Sequence, residues 1–154
     1  MLEKILVCLD GSKTAEKVLD HITDDALKSQ SKIVLLRVTG LPEVTVPLAA
    51  PGVPGIPMSS EAVRKASQER EEEAGEYLKA MAEKLTAKGL SVEYAVIPGM
   101  SGETIIEYAK SNDCSLIAIG THGHGFARRL FLGSTADYVI RHTDIPVLVI
   151  RPKD

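Results

Sequence analysis

The sequence predicts an α/β fold, an open doubly wound parallel sheet of five strands with helices on both faces. Its short apolar runs are rich in Val, Ile and Leu and are nearly continuous rather than alternating, which is typical of parallel strands covered on both faces. These runs alternate with segments whose apolar residues recur at helical spacing, which indicates βαβ units with right-handed crossovers. The 154 residues are enough for one domain and too few for two ordinary ones.

Five short runs are predicted strands. Four of them are strongly apolar, and the fifth, Val92–Ile97, is more polar, which favours a place at the edge of the sheet. The four apolar strands are Ile5–Leu9, Ile33–Val38, Leu116–Ile119 and Val147–Ile150.

Four helices are predicted between these strands, because the apolar residues of each segment fall on one helical face. The longest carries an apolar stripe from Val63 to Leu85, and the Glu and Lys residues on its other faces indicate a solvated surface. The predicted helices span residues 14–28, 61–88, 103–111 and 135–142.

Residues 40–58 interrupt this alternation with five of the eight prolines and three glycines. Proline fixes φ and removes a backbone donor, so neither a helix nor a central strand is expected here. An insert this long without regular structure is usually functional or mobile. Two interpretations stay open, a flexible surface loop and a flap over a site at the end of the second strand.

The composition excludes several classes of protein. Lys and Arg together number 18 and Asp and Glu 21, and the net charge of −3 argues against a general nucleic-acid binder. The apolar run Ile5–Leu9 is too short for a signal-peptide core or a membrane span. Cys8 and Cys114 lie in or beside apolar runs and match no metal-binding spacing, which predicts free buried thiols and a cytoplasmic location.

A glycine cluster carries the strongest chemical signal. The fourth strand turns through Gly120, Gly123 and Gly125, and the chain enters the last helix at Gly133-Ser134. Backbone N–H groups freed at such a turn and at a helix start form an anion pocket. Neither a Walker loop nor a dinucleotide fingerprint is present, so phosphate binding and a tight structural turn both remain possible interpretations.

Several side chains near this cluster have competing interpretations. Thr135 adds a hydroxyl and Arg128 and Arg129 add positive charge, although the arginines could simply face solvent. Ser134 offers a hydroxyl to a phosphate, but the spacing Ser134-x-x-Asp137 also predicts a capping box for the last helix.

A second polar feature, Asp10-Gly11-Ser12, follows the first strand directly. Ligands of open α/β sheets bind outside the carboxyl ends of the strands, at the point where the strand order reverses. Asp10 could accept both hydroxyls of a ribose there. The alternative is an N-cap for the first helix, since Asp and Ser are favoured caps.

Taken together, these features resemble the ATP-binding type of the universal stress protein family. The family signature Gly-x2-Gly-x9-Gly-Ser/Thr occurs here as Gly120, Gly123 and Gly133-Ser134 with no departure in spacing. Segments along the whole chain look like family segments as well, namely KILVCLDGSKTAEKVL, IVLLRVTG, IIEYAKSNDCSLIAIGTHGHG and DIPVLVIRP.

The resemblance implies a Rossmann-like sheet of the adenine nucleotide alpha hydrolase type with strand order 3-2-1-4-5. It also implies ATP, alone or with Mg²⁺, as the ligand. By position, Asp10 would hold the ribose, and Val38 would meet the adenine through its backbone. Apolar Leu9 would lie beside it, at a position where the family often has proline or a small residue. The residues implied around the phosphates are Gly120, Thr121, His122, Gly123, His124, Gly125, Gly133, Ser134 and Thr135.

The resemblance further implies a homodimer that forms through the last strand, Val147–Ile150, since an apolar edge strand invites pairing. The alternative is an edge that is covered within the monomer. We interpret His122 and His124 as positions where backbone geometry matters, in preference to a zinc site or acid–base catalysis, because no third ligand is evident.

The function implied is a nucleotide-dependent stress-response or signalling protein without efficient catalysis. The alternative is a slow ATP hydrolase or phosphotransferase, which needs carboxylates to hold a metal near the phosphates. Asp10 is assigned to the ribose, and Asp137 is the only further candidate acid. An interaction module that has lost its nucleotide is disfavoured by the intact glycine spacing, and no membrane or nucleic-acid partner is expected.

Overall fold

The computed structural model describes residues 2–41, 45–46, 51–121 and 132–151. The predicted strands and helices are confirmed, with ends that shift by one or two residues. In chain order the elements are β1 (Lys4–Cys8), α1 (Lys13–Ser29), β2 (Lys32–Val38), β3 (Thr45–Val46), β4 (Ile56–Pro57), α2 (Ser60–Ala87), β5 (Ser91–Ile97), α3 (Ser101–Ser111), β6 (Leu116–Gly120), α4 (Ser134–His142) and β7 (Val147–Ile150).

Five strands form one parallel sheet in the order β5-β2-β1-β6-β7. Counted among these five strands alone, this is the predicted order 3-2-1-4-5. The chain moves outward from β1 in one direction and then returns to the other side of β1 with β6. The carboxyl ends of β1 and β6 therefore border the crevice in which open α/β sheets bind ligands.

The sheet separates two apolar cores. Ile5 and Val7 pack with α1 and α2 on one face, whereas Leu6 packs with α3 and α4 on the other. Successive side chains of a strand point to opposite faces. Since both faces are buried, both sets of positions must be apolar, and this explains the continuous runs in the sequence.

Helix α2 is buried over only half of its length. Its buried residues are Ala74, Leu78, Ala82 and Leu85, all in the C-terminal half. Val63 and Ala66, at the start of the predicted stripe, are only partly buried. The N-terminal half, residues 60–73, contains no buried side chain.

The proline-rich insert contains regular structure that the sequence does not predict. Strands β3 and β4 pair antiparallel, with Thr45 opposite Pro57 and Val46 opposite Ile56. This two-stranded pair is separate from the main sheet, so the expectation that the insert supplies no central strand is confirmed. Residues 42–44 and 47–50 lie outside the described residues, and the flap interpretation stays a prediction.

Two further expectations concern the whole chain. Cys8 and Cys114 are free cysteines, as predicted, although Cys8 is only partly buried. Within the described ranges, no helix combines the length and the apolar character that crossing a membrane requires.

Candidate functional site

A cavity of about 110 Å³ lies at the carboxyl ends of the central strands. It is formed by the ends of β1, β2 and β6 together with the N-terminal turns of α3 and α4. Its lining residues are Cys8, Leu9, Asp10, Ala15, Leu36, Val38, Ser101, Ile105, Ile119, Gly120, Leu132, Gly133, Thr135 and Ala136.

Asp10 lies at the rim of the cavity, two residues beyond Cys8 at the end of β1. Its Oδ1 accepts a hydrogen bond of 2.8 Å from the backbone N–H of Ser12. Ser12 is the N-cap of α1, and its Oγ accepts a hydrogen bond of 3.2 Å from the N–H of Ala15. The capping role therefore falls to Ser12, and Asp10 orders the loop that precedes the helix.

Leu9 and Val38 contribute an apolar wall. Leu9 is buried, and its N–H donates a hydrogen bond of 2.9 Å to the carbonyl of Leu36, which fixes β1 against β2 at their ends. Val38 ends β2 and is half-buried beside the same cavity. Leu36 and Ile119 extend this wall, which suits a flat apolar ring such as a base.

Gly120 ends β6 at a point where the strand closely approaches α1. A β-carbon at this position would lie 3.4 Å from the Cα of Ala15 and 3.4 Å from the carbonyl oxygen of Thr14. These distances are at the short end of ordinary van der Waals contact, and both neighbours belong to the backbone of α1. The end of β6 therefore packs against the first turn of α1 beside the cavity.

Thr121 follows Gly120 but is not brought to the cavity. Its side chain is buried, and its N–H donates a hydrogen bond of 3.0 Å to the carbonyl of Ile150. Thr121 thus extends the pairing of β6 with β7. Its backbone donor is committed to that pairing, and the nucleotide-binding role implied for Thr121 stays a prediction.

The predicted capping box at α4 does not form. Gly133 is the N-cap, Ser134 is the first helical residue, and no side chain of the described residues caps this end. The N–H of Asp137 donates to the carbonyl of Gly133, and its carboxylate pairs with the Nε of Arg141 at 3.0 Å. Gly133 and Thr135 line the cavity, with the helix N-terminus beside them.

A second cavity of about 410 Å³ adjoins the first, and Ser101 and Thr135 line both. Ser134 lines this second cavity rather than the first. Sequence reasoning missed the contribution of α3, whose Ser101 and Ile105 face the site. The signal for it was available, because α3 follows β5 and β5 ends at the same edge of the sheet.

Four predicted site residues, His122, Gly123, His124 and Gly125, lie outside the described residues, as do Arg128 and Arg129. Their roles stay predictions.

Most side chains that line the cavity are apolar. Cys8 contributes a thiol whose pKa is raised to about 12, first by burial and then by the neighbouring Cys114. The thiol is therefore protonated at neutral pH and acts as an apolar surface. No group of three or more potential metal ligands occurs among the described residues.

Comparison with known proteins yields close relatives over the whole chain. Universal stress protein Sll1388 of Synechocystis is 28% identical over 150 residues, which cover 96% of this chain and 97% of that protein. Universal stress protein MJ0577 of Methanocaldococcus jannaschii is 28% identical over 158 residues, covering 100% and 98%. A solved structure of MJ0577 has a TM-score of 0.82 at 27% identity and covers 100% of this chain and 99% of that one.

Two more distant structures share the fold and contain adenine nucleotides. A universal stress protein in complex with cAMP has a TM-score of 0.61 at 20% identity, covering 97% of each chain. The Arabidopsis thaliana protein At3g01520 with AMP bound has a TM-score of 0.61 at 16% identity, covering 98% and 92%. The model of the universal stress protein family matches residues 1–151. The chain therefore belongs to the universal stress protein family.

Proposed function

We propose that this protein binds ATP or a related adenine nucleotide in the crevice between β1 and β6. In this proposal it acts as a nucleotide-dependent stress-response or signalling protein without efficient turnover. One observation carries the proposal: a single cavity gathers residues that are far apart in sequence, namely Leu9, Asp10, Val38, Gly120, Gly133 and Thr135. The related structures with cAMP and AMP support the choice of adenine nucleotides.

Each part of the nucleotide has a matching part of the cavity. The apolar wall of Leu9 and Val38 suits the adenine ring, and the carboxylate of Asp10 suits ribose hydroxyls. The phosphates would meet Gly120, Gly133 and the N-terminus of α4. Helices α1 and α2 are capped by the side chains of Ser12 and Ser59, whereas α3 and α4, which both begin at the cavity, have no side-chain cap among the described residues. The N–H groups and the dipole at the start of α4 favour an anion.

Binding without efficient turnover follows from the acids near the site. Phosphoryl transfer requires carboxylates that hold a metal and a group that positions the nucleophile. Asp137 is paired with Arg141, and Asp10 is assigned to the ribose. Slow hydrolysis or phosphotransfer is the alternative, and Mg²⁺ would then accompany the phosphates.

The primary experiment identifies the ligand directly. The purified protein is denatured, released nucleotides are identified by mass spectrometry, and ATP, AMP, cAMP and GTP are titrated by calorimetry. We expect adenine nucleotides to bind with a Kd in the micromolar range, about −8 kcal/mol. Released ADP would favour the alternative with turnover. The proposal would be refuted if denaturation released no nucleotide and titration with ATP produced no heat.

A charge substitution tests the phosphate end. Thr135→Glu adds a carboxylate to the first turn of α4, where it stabilises the helix dipole but repels phosphates. A like charge about 6 Å away costs about 2–3 kcal/mol at an effective dielectric of 20, so ATP affinity should fall at least tenfold, and AMP affinity less. Ser60→Glu is the matched control, since it adds the same charge to the first turn of α2. Equal effects of both variants would contradict the assignment.

We also propose that the protein forms a homodimer through β7, which lies at one edge of the sheet. The carbonyls of Pro146 and Ile150 accept hydrogen bonds from β6, so the alternating backbone groups of Val147 and Val149 point away from β6. Those groups are available to a second copy of β7 across a two-fold axis.

The variant Val149→Pro removes one backbone N–H that points away from β6 and leaves the hydrogen bonds between β6 and β7 in place. We expect sedimentation at tens of micromolar to show a dimer for the wild type and a monomer for this variant, with a similar unfolding midpoint. A monomeric wild type would contradict the dimer.

We propose a cellular location for the protein from the two cysteines, which form no disulfide. Cys8 and Cys114 are both free, and proteins with unpaired buried cysteines are typical of reducing compartments. We therefore place the protein in the cytoplasm. Thiol titration of protein purified anaerobically should detect two reduced cysteines, and a disulfide-linked form in cells would oppose this placement.

A further inference from the structure

Arg37 is adjacent to Val38 in β2, but its side chain lies on the opposite face of the sheet. Leu36 and Val38 belong to the core beside α3 and α4, whereas Leu35 belongs to the core beside α1 and α2. Arg37 alternates with Leu36 and Val38 and therefore points to the α1 and α2 side. At the end of β2, Val38 therefore faces the cavity, and Arg37 faces the side of the sheet that α1 and α2 cover.

The guanidinium of Arg37 packs against the loop that follows β1. A β-carbon built on Gly11 would lie 3.2 Å from Nη1 and 3.4 Å from Cζ of Arg37. Gly11 lies between Asp10, at the rim of the cavity, and Ser12, which caps α1. The guanidinium therefore lies against the turn centred on Gly11, here called the Gly11 turn, whose flanking residues Asp10 and Ser12 are joined by a hydrogen bond of 2.8 Å.

Arg37 is held in turn by a residue of α2. Its Cζ lies 5.6 Å from the ring centroid of Tyr77, within the range of a cation–π contact. The Tyr77 hydroxyl donates a hydrogen bond of 2.8 Å to Oε1 of Glu16, in α1. Arg37 and Tyr77 thus join β2, α1 and α2 directly behind the Asp10 loop.

The electrostatics place Asp10 in the same cluster. Burial raises the pKa of Tyr77 first, and the hydrogen bond and charge of Glu16 raise it further. The positive charge of Arg37 lowers this pKa and the negative charge of Asp10 raises it, so both charges act on the same phenol. Arg37 and Asp10, which carry opposite charges, are therefore both close enough to Tyr77 to act on its hydroxyl.

We propose that Arg37 is a positioning residue for the nucleotide site: from the face of the sheet opposite the cavity, it holds the Gly11 turn and so fixes Asp10 toward the ribose. This inference rests on the proposed nucleotide binding. Arg37 itself does not line the cavity, and it acts through the loop. A planar guanidinium can stack on a ring and on a turn at the same time, which an ammonium group cannot do.

The binding experiment separates positioning from a general structural role. Arg37→Gln is compared with Arg64→Gln, which removes an exposed arginine of α2. The ligands are AMP and its 2′,3′-dideoxy analogue, which lacks the ribose hydroxyls. We expect Arg37→Gln to lower the affinity for AMP about tenfold and to change the affinity for the dideoxy analogue by no more than about twofold. The reason is that AMP has ribose hydroxyls for Asp10 to bind, whereas the analogue has none. Arg64→Gln should bind both ligands like the wild type.

A double-mutant cycle and a conservative variant complete the binding test. Arg37→Gln should have little further effect on AMP affinity in an Asp10→Asn background, since both changes remove the same interaction. Arg37→Lys should give an intermediate affinity, and it provides a folded variant if Arg37→Gln does not fold. Full additivity, or an equal loss for AMP and the dideoxy analogue, would overturn the proposal.

Hydrogen exchange without nucleotide tests whether Arg37 holds the Gly11 turn, independently of the proposed function. We expect the amides of residues 11–14 to exchange at least several-fold faster in Arg37→Gln than in the wild type or in Arg64→Gln. Unchanged exchange would overturn the inference. If the wild type binds no adenine nucleotide, the proposed function fails, and faster exchange would still establish that Arg37 orders the loop.

Discussion

Asp10 orders the loop before α1 and, in the proposed function, also binds the ribose, and two substitutions can separate these roles. Its Oδ1 accepts the N–H of Ser12 at 2.8 Å, and Ser12 caps α1 through the N–H of Ala15. Asparagine keeps a carbonyl oxygen for the loop but removes the negative charge. Alanine removes both the acceptor and the charge. Asp10→Asn therefore tests recognition of the ribose, and Asp10→Ala adds the loss of the turn.

The expected magnitudes follow from the kind of hydrogen bond that each variant loses. A hydrogen bond to a charged group contributes about 1.5–3 kcal/mol and a neutral one about 0.5–1.5 kcal/mol. Asp10→Asn should therefore weaken AMP by about 1–1.5 kcal/mol, roughly tenfold in Kd, with little change in stability. Asp10→Ala should weaken AMP about a hundredfold and lower the free energy of unfolding by about 1 kcal/mol.

Calorimetry with AMP and urea denaturation measure these two effects separately. If Asp10→Asn bound AMP as tightly as the wild type, the carboxylate would not contact the ribose. If its affinity for the 2′,3′-dideoxy analogue fell as much as its affinity for AMP, the substitution would act through the loop alone. Either result would refute the assignment of Asp10.

Three further predictions concern packing and pH. A β-carbon at Gly102 would lie 2.8 Å from Cγ of Tyr138, so Gly102→Ala should lower the free energy of unfolding in urea by about 1–3 kcal/mol. Leu78→Ala empties a fully buried position of α2 and should cost about 2–5 kcal/mol in the same assay. Burial raises the pKa of the Cys8 thiol to about 12 from an ordinary 9.0, so the unfolded chain releases this proton first. Stability should then fall as pH rises from 9 toward 12, by about 1.4 kcal/mol per unit, and Cys8→Ala should reduce this loss.

The chain offers matched control variants for the two packing changes. Gly75 has open space around its Cα, so Gly75→Ala should stabilise α2 by about 0.5–1 kcal/mol. Leu27 is 38% exposed, and Leu27→Ala should cost far less than Leu78→Ala. Urea curves at pH 8 and pH 10 test the thiol. A stable Gly102→Ala protein, similar costs at the two leucines, or an identical pH slope in Cys8→Ala would contradict the respective prediction.

The fold was predictable because burial on both faces of a parallel sheet leaves a direct mark on the sequence. β1 and β2 are continuous apolar runs for this reason, and β5, at the edge, is visibly more polar. The pair of β3 and β4 left no such mark. It has two residues in each strand and includes Pro57, so neither periodicity nor propensity indicates it.

The parts of the candidate site that could be predicted are the residues at the carboxyl ends of the strands. Asp10 and Gly120 follow strands that flank the reversal of strand order, and both reach the cavity. The start of α4 was harder, because Gly133 and Ser134 are adjacent and either can cap a helix. Ser101 was missed because the prediction concentrated on the two strands that flank the reversal of strand order, although the position of α3 directly after β5 already indicated that α3 begins at the same edge of the sheet.

The half-buried helix α2 divides the chain into parts that tolerate sequence change differently. Its C-terminal half seals the sheet through Ala74, Leu78, Ala82 and Leu85, and a change there disturbs the core. Residues 60–73 bury no side chain and follow directly after the proline-rich insert. Substitutions at the exposed positions of this stretch therefore remove no side chain from the apolar core, and an exposed position such as Arg64 is a suitable place to attach a reporter group.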